Sequence, residues 1–114
     1  MTELITTDKP EEAFDNIDLC VMIGGFPRKE GMERKDLLQI NGKIFLAQGK
    51  ILDLKAKEDC KICVVANPAN TNAMLVSSCL SRLDKKNVSC LTRLDQNRAK
   101  GLLAEKIGCG VSDI

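Results

Sequence analysis

The residues with the clearest chemical potential are two arginines in a charged stretch early in the chain. Arg28 and Arg34 lie six residues apart, and Pro27 and Gly31 beside them predict a loop. Guanidinium groups bind carboxylates in a bidentate way that lysine cannot match. If the loop folds over, both arginines could meet one anionic ligand; otherwise the stretch is an ordinary solvated loop.

A second candidate is Asn67, which precedes Pro68 and directly follows an apolar run typical of a buried strand. In open α/β sheets, ligands bind at the carboxyl ends of the strands, where an amide can donate to a ligand oxygen. The alternative is a turn or capping role.

Asp95 and Arg98 form a third candidate pair, because residues three apart on a helix share a face. The pair is either a surface ion pair, which contributes about 0–1 kcal/mol, or a catalytic carboxylate beside a substrate-binding arginine. The residues alone leave both interpretations open.

Two amides stand out on a predicted long helix. Asn41 and Gln48 fall near the middle of its apolar arc, which we expect to face the core. An unpartnered buried amide costs about 1–3 kcal/mol, so each needs a backbone group, a water or a ligand. The arc is formed by Leu37, Ile40, Ile44, Ala47, Ile51 and Leu54, widened by Leu38, Phe45 and Leu52.

The elements that must position these residues follow from the apolar pattern. Short apolar runs predict strands over 18–23, 61–66 and 88–91. Helical patterns cover 11–17, 34–57, 73–80 and 92–107. The alternation of strand and helix predicts an α/β fold with an open parallel sheet and a bare edge.

The ends of two predicted helices carry capping patterns. We expect the Asn and Thr residues of 67–72 to cap the third helix. Thr92 and Asp95 have the spacing of a capping box, and Gly108 is expected to end the last helix.

Composition excludes several classes of function. The 114 residues suffice for one domain, and 17 basic against 16 acidic residues give a net charge of +1. This offers no electrostatic case for nucleic acid or an anionic membrane, and 3% aromatic residues offer no base-stacking platform. We find no apolar run of about 18 residues and expect neither a membrane span nor a signal peptide.

The six cysteines are expected to be reduced thiols rather than disulfides or metal ligands. Cys20, Cys63 and Cys90 lie inside apolar, strand-like runs. Cys60 and Cys63 have Cys-x-x-Cys spacing, but side chains three apart on a strand point to opposite faces. The chain has no His to complete a zinc site. Reduced thiols favour a cytoplasmic location.

Three long stretches resemble signatures of the cytosolic-type malate dehydrogenases of the lactate/malate dehydrogenase family. Residues 24–38, GGFPRKEGMERKDLL, are similar to that family's mobile active-site loop. Residues 64–72, VVANPANTN, and 89–100, SCLTRLDQNRAK, are similar to two further signatures. The resemblance covers nearly the whole chain, from about residue 3 to residue 114.

The resemblance implies hydride transfer between malate and NAD, giving oxaloacetate, in a protein expected to be a homodimer. It implies that Arg28 and Arg34 bind the dicarboxylate, with Arg28 closing over the reacting carbonyl. By the same resemblance, Asn67 contacts substrate and cofactor, Arg98 clamps the carboxylate next to the reacting carbon, and Asp95 orients a catalytic His.

The cofactor NAD is implied to meet both side chains and backbone groups of this chain. The residues that the resemblance places on the NAD side are Asn41, Gln48, Gly24, Gly25, Val65, Ala66 and Asn67.

The chain also departs from the family. It has no His, hence no proton acceptor, and no Gly-x-Gly-x-x-Gly, hence no pyrophosphate cradle. We therefore expect a partial Rossmann-like domain: residues 1–91 form the second part of the NAD-binding domain, including the mobile loop 24–36. Residues 92–114 begin the substrate domain.

Two hypotheses for function remain. One is an NAD-dependent malate dehydrogenase that is inactive as this piece alone; the other is a non-catalytic derivative with an interaction or regulatory role. Retention of both Arg28 and Arg98 favours the first. Lactate is a lesser substrate alternative, which Arg34 argues against because a second cation matches a second carboxylate.

Overall fold

The computed structural model describes residues 4–114, apart from the side chain of Arg34. The helices within this range are α1 (Pro10–Ala13), α2 (Arg34–Lys55), α3 (Ala69–Cys79) and α4 (Arg93–Ile107). The strands are β1 (Leu19–Met22), β2 (Lys61–Val64) and β3 (Val88–Cys90). Short 3-10 helices cover Lys85–Asn87 and Val111–Asp113.

The three strands form one parallel sheet in the order β1, β2, β3, which confirms the α/β prediction. Val21 pairs with Cys63, and Cys63 pairs with Ser89. The helices α2 and α3 connect successive strands and share one core with alternate strand residues, among them Met22 and Val64.

The opposite side of β1 is uncovered. Leu19, Val21 and Ile23 are 61%, 50% and 68% exposed, although parallel sheets usually bury both faces. β1 is also an edge strand of this sheet. These three side chains form an exposed apolar surface, which we call the β1 face.

The buried side of α2 differs from the predicted arc. Asn41, Phe45 and Leu52 are buried, whereas Leu54 is 78% exposed and Ala47 is exposed as well. The prediction is therefore confirmed for Asn41, Phe45 and Leu52 and wrong for Ala47 and Leu54.

Glycines explain which side of α2 is buried. A Cβ added at Gly49 would lie 3.2 Å from Cβ of Cys79 and 3.3 Å from Cα of Val76, so α3 approaches closely there. A Cβ added at Gly42 would lie 3.4 Å from Cδ1 of Leu75. An arc drawn through large apolar residues ignores such glycines, although they mark the closest helix contact.

The predicted cap of α3 is not observed. α3 begins at Ala69, four residues before the predicted start, and its N-cap Pro68 makes no side-chain cap bond, so the predicted Asn and Thr cap is wrong. Asn72 lies inside the helix instead, and its Nδ2 donates to the carbonyl of Ala66 at 2.9 Å. The amide therefore fastens α3 to the end of β2.

Thr92 makes no side-chain cap bond either, so the capping-box prediction is wrong. Its backbone angles, φ −120° and ψ 6°, depart from the extended conformation usual at an N-cap. Gly108 is confirmed as the end of α4, in the left-handed region at φ 76°.

A buried carboxylate joins α2 to the connection before β3. Asp53 accepts hydrogen bonds from the backbone amides of Ser81, Arg82 and Leu83 and from the Ser81 hydroxyl at 2.6 Å. Arg82 in turn donates to the carbonyls of Asp53 and Ala56. We call these contacts the Asp53 network.

α4 extends away from the sheet. It packs mainly against the 3-10 helix Val111–Asp113, and Ala104 is its buried side chain. The radius of gyration is 17.2 Å, against about 13 Å for a compact domain of this length. None of the helices in residues 4–114 has the length and apolar character that a membrane crossing requires.

All six cysteines, which lie in the described part of the chain, are free thiols. Cys20 and Cys60 are buried, whereas Cys63 and Cys90 are half-buried. Burial and, to a smaller extent, the neighbouring Cys60 raise the pKa of the Cys20 thiol to about 11. Cys20 is therefore protonated at neutral pH.

Candidate functional site

A cleft of about 480 Å³ opens at the carboxyl ends of β1 and β2. The loop after β1 and the starts of α2 and α3 form its walls. The lining residues are Arg28, Leu37, Leu38, Asn67, Pro68 and Thr71. Arg28 and Asn67, predicted from separate stretches of sequence, therefore share this cleft, which we call the arginine cleft.

The guanidinium of Arg28 is exposed and only partly engaged. Its Nε donates to the carbonyl of Met32 at 3.2 Å, within the same loop. A guanidinium has five N–H donors, so the two terminal nitrogens can still serve an anion. The neighbouring Lys29 instead places its Nζ 5.2 Å from the ring centroid of Phe26.

Asn67 is exposed, but the backbone that carries it is held firmly. The amides of Val65 and Ala66 donate to the carbonyl of Met22 at 2.9 and 3.1 Å, and the Ala66 carbonyl accepts from Asn72. The N–H groups of Val65 and Ala66, for which the resemblance implies cofactor contact, are thus used within the fold.

Asn41 is 1% exposed, and both the oxygen and the nitrogen of its amide bond to the loop. Oδ1 accepts from the Phe26 amide at 2.6 Å, and Nδ2 donates to the Phe26 carbonyl at 3.2 Å. Of the alternatives left open by the sequence, the backbone partner is the one observed.

Gln48, Gly24 and Gly25 line another cleft, of about 420 Å³, that runs beside β1. Among the described residues, nothing lies within 4 Å of a Cβ built at Gly24, so the backbone there is open to a ligand. At Gly25 the added Cβ would lie 3.2 Å from Oδ1 of Asn41. Gly25 is therefore required for the packing of the loop.

Arg34 is the first residue of α2, and its side chain lies outside the described residues. On α4, Nη1 of Arg98 and Oδ1 of Asp95 are 3.8 Å apart, with both side chains exposed. Arg98 does not line the arginine cleft or the cleft beside β1. In this structure α4 therefore does not bring Arg98 to Arg28.

Thr71 is a site residue that sequence reasoning missed. It lines the arginine cleft from the first turn of α3, whereas the sequence suggested only a capping role. Its spacing of four from Asn67 would have indicated the cleft if the earlier start of α3 had been predicted.

The cleft beside β1 has both polar and apolar lining residues. It combines the open backbone at Gly24 and the amide of Gln48 with apolar side chains such as Ile44, a mixture typical of cofactor sites. The sequence has no Gly-x-Gly-x-x-Gly turn, which holds the pyrophosphate in dinucleotide-binding folds.

Comparison with known proteins identifies the family of the chain. Residues 1–89 match the sequence profile of the lactate/malate dehydrogenase, NAD binding domain. The chain is 51% identical to the cytoplasmic malate dehydrogenase of Gallus gallus over 114 residues, which is all of this chain and 34% of the relative.

Two solved structures share the fold. The crystal structure of malate dehydrogenase from Naegleria fowleri has a TM-score of 0.83 and 42% identity, covering 94% of this chain and 33% of that one. Lactate dehydrogenase from Trichomonas vaginalis, in complex with NADH and oxamate, has a TM-score of 0.83 and 38% identity, covering 96% and 33%.

The chain spans about a third of the length of the curated relatives it matches. The loop with Arg28 and the turn with Asn67 both lie within the matched residues 1–89. The chain belongs to the lactate/malate dehydrogenase family, through that family's NAD binding domain.

Proposed function

We propose that this chain supplies the substrate-clamping part of an NAD-dependent malate dehydrogenase, which interconverts malate and oxaloacetate. The observation that carries the proposal is the arginine cleft, in which Arg28 and Asn67 meet at the carboxyl end of the sheet. A guanidinium and a carboxamide suit an oxygen-rich anionic substrate. The similarity to malate dehydrogenases named cytoplasmic also supports a cytoplasmic location.

Each residue has a defined part in this proposal. Arg28 polarises the reacting carbonyl as the loop closes and excludes water, which strengthens charge interactions. Arg34 binds the second carboxylate, and Asn67 donates to a substrate oxygen. Arg98 clamps the carboxylate next to the reacting carbon, and Asp95 orients a His; both roles require α4 to approach the arginine cleft.

NAD, when bound, supplies the acceptor for the hydride that leaves C2 of malate. Gly24 and Gln48 are the residues of this chain that would contact it, because they line the cleft beside β1. The NADH in the Trichomonas vaginalis complex supports the same cofactor here. Assembly as a homodimer stays a prediction from the family resemblance.

The 114-residue chain is expected to show no malate dehydrogenase turnover by itself. It has no His to act as general base, a role typically worth 10²–10⁴-fold in rate, and no glycine-rich pyrophosphate cradle. The measurement is NADH oxidation at 340 nm with oxaloacetate and purified chain. Turnover by the pure chain would contradict the expectation.

A chimera tests the function itself. Residues 1–114 replace the matching third of the chicken enzyme, which supplies a general-base His and a pyrophosphate-binding turn if the proposal holds. We expect the folded chimera to reduce oxaloacetate with NADH and to prefer it over pyruvate, because Arg34 adds a cation for the second carboxylate. A folded chimera without activity would favour the non-catalytic alternative, which the separation of Arg98 from the arginine cleft supports.

The role of Arg28 is tested in the same chimera. Arg28→Leu should lower kcat/KM for oxaloacetate by about 100-fold, the scale of losing one charge-stabilising donor. Lys29→Leu is the matched control, because it removes a neighbouring cation that faces the Phe26 ring instead of the cleft. Equal effects of the two substitutions would count against the arginine cleft.

A further inference from the structure

Asn41 of α2 holds the first part of the loop that carries Arg28. Asn41 makes two hydrogen bonds with the backbone of Phe26, at 2.6 and 3.2 Å. At the other end of the loop, the Glu33 amide donates to Oδ2 of Asp36 on α2 at 3.3 Å. Nε of Arg28 donates to the Met32 carbonyl and the Met32 amide donates to the Lys29 carbonyl, and both bonds close within the loop itself. Asn41 therefore fixes the loop two residues before Arg28.

The packing around Asn41 shows that the contact is built into the fold. Asn41 is 1% exposed, so losing its partners would leave a buried amide unsatisfied. A Cβ at Gly25 would press on Oδ1 of Asn41 at 3.2 Å and on the Ala66 Cβ at 3.4 Å. The loop, α2 and the end of β2 thus meet at this point.

We propose that Asn41 is a positioning residue for Arg28. Its amide holds the base of the loop so that Arg28 reaches the cleft that Asn67 lines from the other side. The functional meaning of this assignment rests on the proposed malate dehydrogenase activity, whereas the fastening of the loop does not.

The first test measures amide hydrogen exchange of Phe26 and tryptic cleavage after Arg28 and Lys29 in the 114-residue chain. Asn41→Leu keeps the size but removes both bonds, so exchange and cleavage should each become at least about tenfold faster. Asn97→Leu makes the same chemical change at an exposed position on α4 and should alter neither. Unchanged exchange in a folded Asn41→Leu variant would overturn the proposal.

A second variant covers the case in which Asn41→Leu does not fold. Asn41→Asp keeps the acceptor for the Phe26 amide but loses the donor to the Phe26 carbonyl while the carboxyl is ionised. Burial raises the pKa of such a carboxyl, so protection of Phe26 should recover on acidification as the proton restores the donor. A pure packing role predicts no such pH profile, and a flat profile would refute the proposal.

Glycines give a third, independent comparison. Gly25→Ala should loosen the loop, because the new Cβ presses on Asn41, whereas Gly24→Ala meets no described atom within 4 Å and should not. Equal amide hydrogen exchange of Phe26 in these two variants would contradict the proposal that Asn41 holds the loop.

Kinetics in the chimera separate the two roles of Asn41. A positioning residue predicts that Asn41→Leu raises KM or lowers kcat for oxaloacetate while KM for NADH is unchanged. A rise confined to KM for NADH would restore the cofactor role and overturn the inference. An inactive parent chimera would defeat the proposed function alone, since the exchange measurements still decide the fastening of the loop.

Discussion

At the scale of single residues, buried polar side chains carry much of the specificity of this fold. Asn41 and Asp53 lie on the same helix, and both use their oxygens on backbone amides far away in sequence. Asn41 is conspicuous in the sequence because it interrupts an apolar arc, but the spacing of residues does not reveal its hydrogen-bond partner. Nothing in the sequence indicates the role of Asp53, because its hydrogen-bond partners lie about 28 residues downstream.

Asp53 offers a direct test of this view through stability. Burial disfavours its charge, but hydrogen bonds from the Ser81 hydroxyl and from the amides of Leu83, Arg82 and Ser81 outweigh burial and lower its pKa to about 2. Asp53→Asn should therefore reduce the free energy of unfolding at neutral pH by about 2 kcal/mol or more. Urea unfolding measures the loss, with the exposed Asp59→Asn as control.

The same carboxylate predicts a pH dependence. A pKa below that of the unfolded chain, about 3.9, means that the stabilisation is fully present above about pH 4. It is lost as pH falls through the folded pKa of about 2. The stability difference between wild type and Asp53→Asn should shrink over this window, and a difference that grows on acidification would contradict the assignment.

At the scale of elements, the decisive contact is that between α2 and α3. The sequence correctly predicted both helices, apart from the first turn of α3. The predicted apolar arc of α2, however, wrongly included Leu54, which is exposed. Helix contacts through glycine are hard to predict because a missing side chain leaves no apolar signal. Once the helices pack at Gly49, they also set the walls of the arginine cleft.

Substitutions of two glycines on different helices test this account of helix packing. Gly49→Ala should destabilise the chain by about 1–3 kcal/mol, because its Cβ would meet Cα of Val76 at 3.3 Å. Gly101→Ala on α4 meets no described atom within 4 Å and should stabilise by about 0.5–1 kcal/mol through higher helix propensity. Urea midpoints of both variants check the opposite signs; the same sign for both would refute the packing argument.

At the scale of the whole molecule, the chain exposes surfaces that a globular domain usually buries. The β1 face is apolar and open, and α4 extends from the body. An uncovered parallel sheet with a free edge tends to associate with other chains. The net charge of +1 adds little repulsion between copies.

We therefore expect the isolated chain to self-associate as its concentration rises. Val21→Glu places a charge in the β1 face at a half-exposed position and should lower the apparent mass in sedimentation velocity. Leu54→Glu is the control, because Leu54 is exposed on α2 and outside the β1 face. A chain that stays monomeric at all concentrations, or equal effects of both substitutions, would contradict this expectation.

The amino-acid sequence by itself determined the order of strands and helices, the parallel α/β class, the end of α4 at Gly108 and the family resemblance. These depend on local periodicity, turn chemistry and contiguous motifs, which all involve residues close to one another in the sequence. It also indicated that Arg28 lies in a loop and that Asn67 lies at the carboxyl end of a strand, and the structure brings both into one cleft.

Only the tertiary structure decided which side of α2 is buried, what Asn41 binds and where α4 lies. Each depends on how closely distant segments approach: α3 at Gly49, the loop at Phe26, and α4 away from the arginine cleft. Side-chain spacing constrains residues within one element, whereas contacts between elements follow from packing of the whole chain.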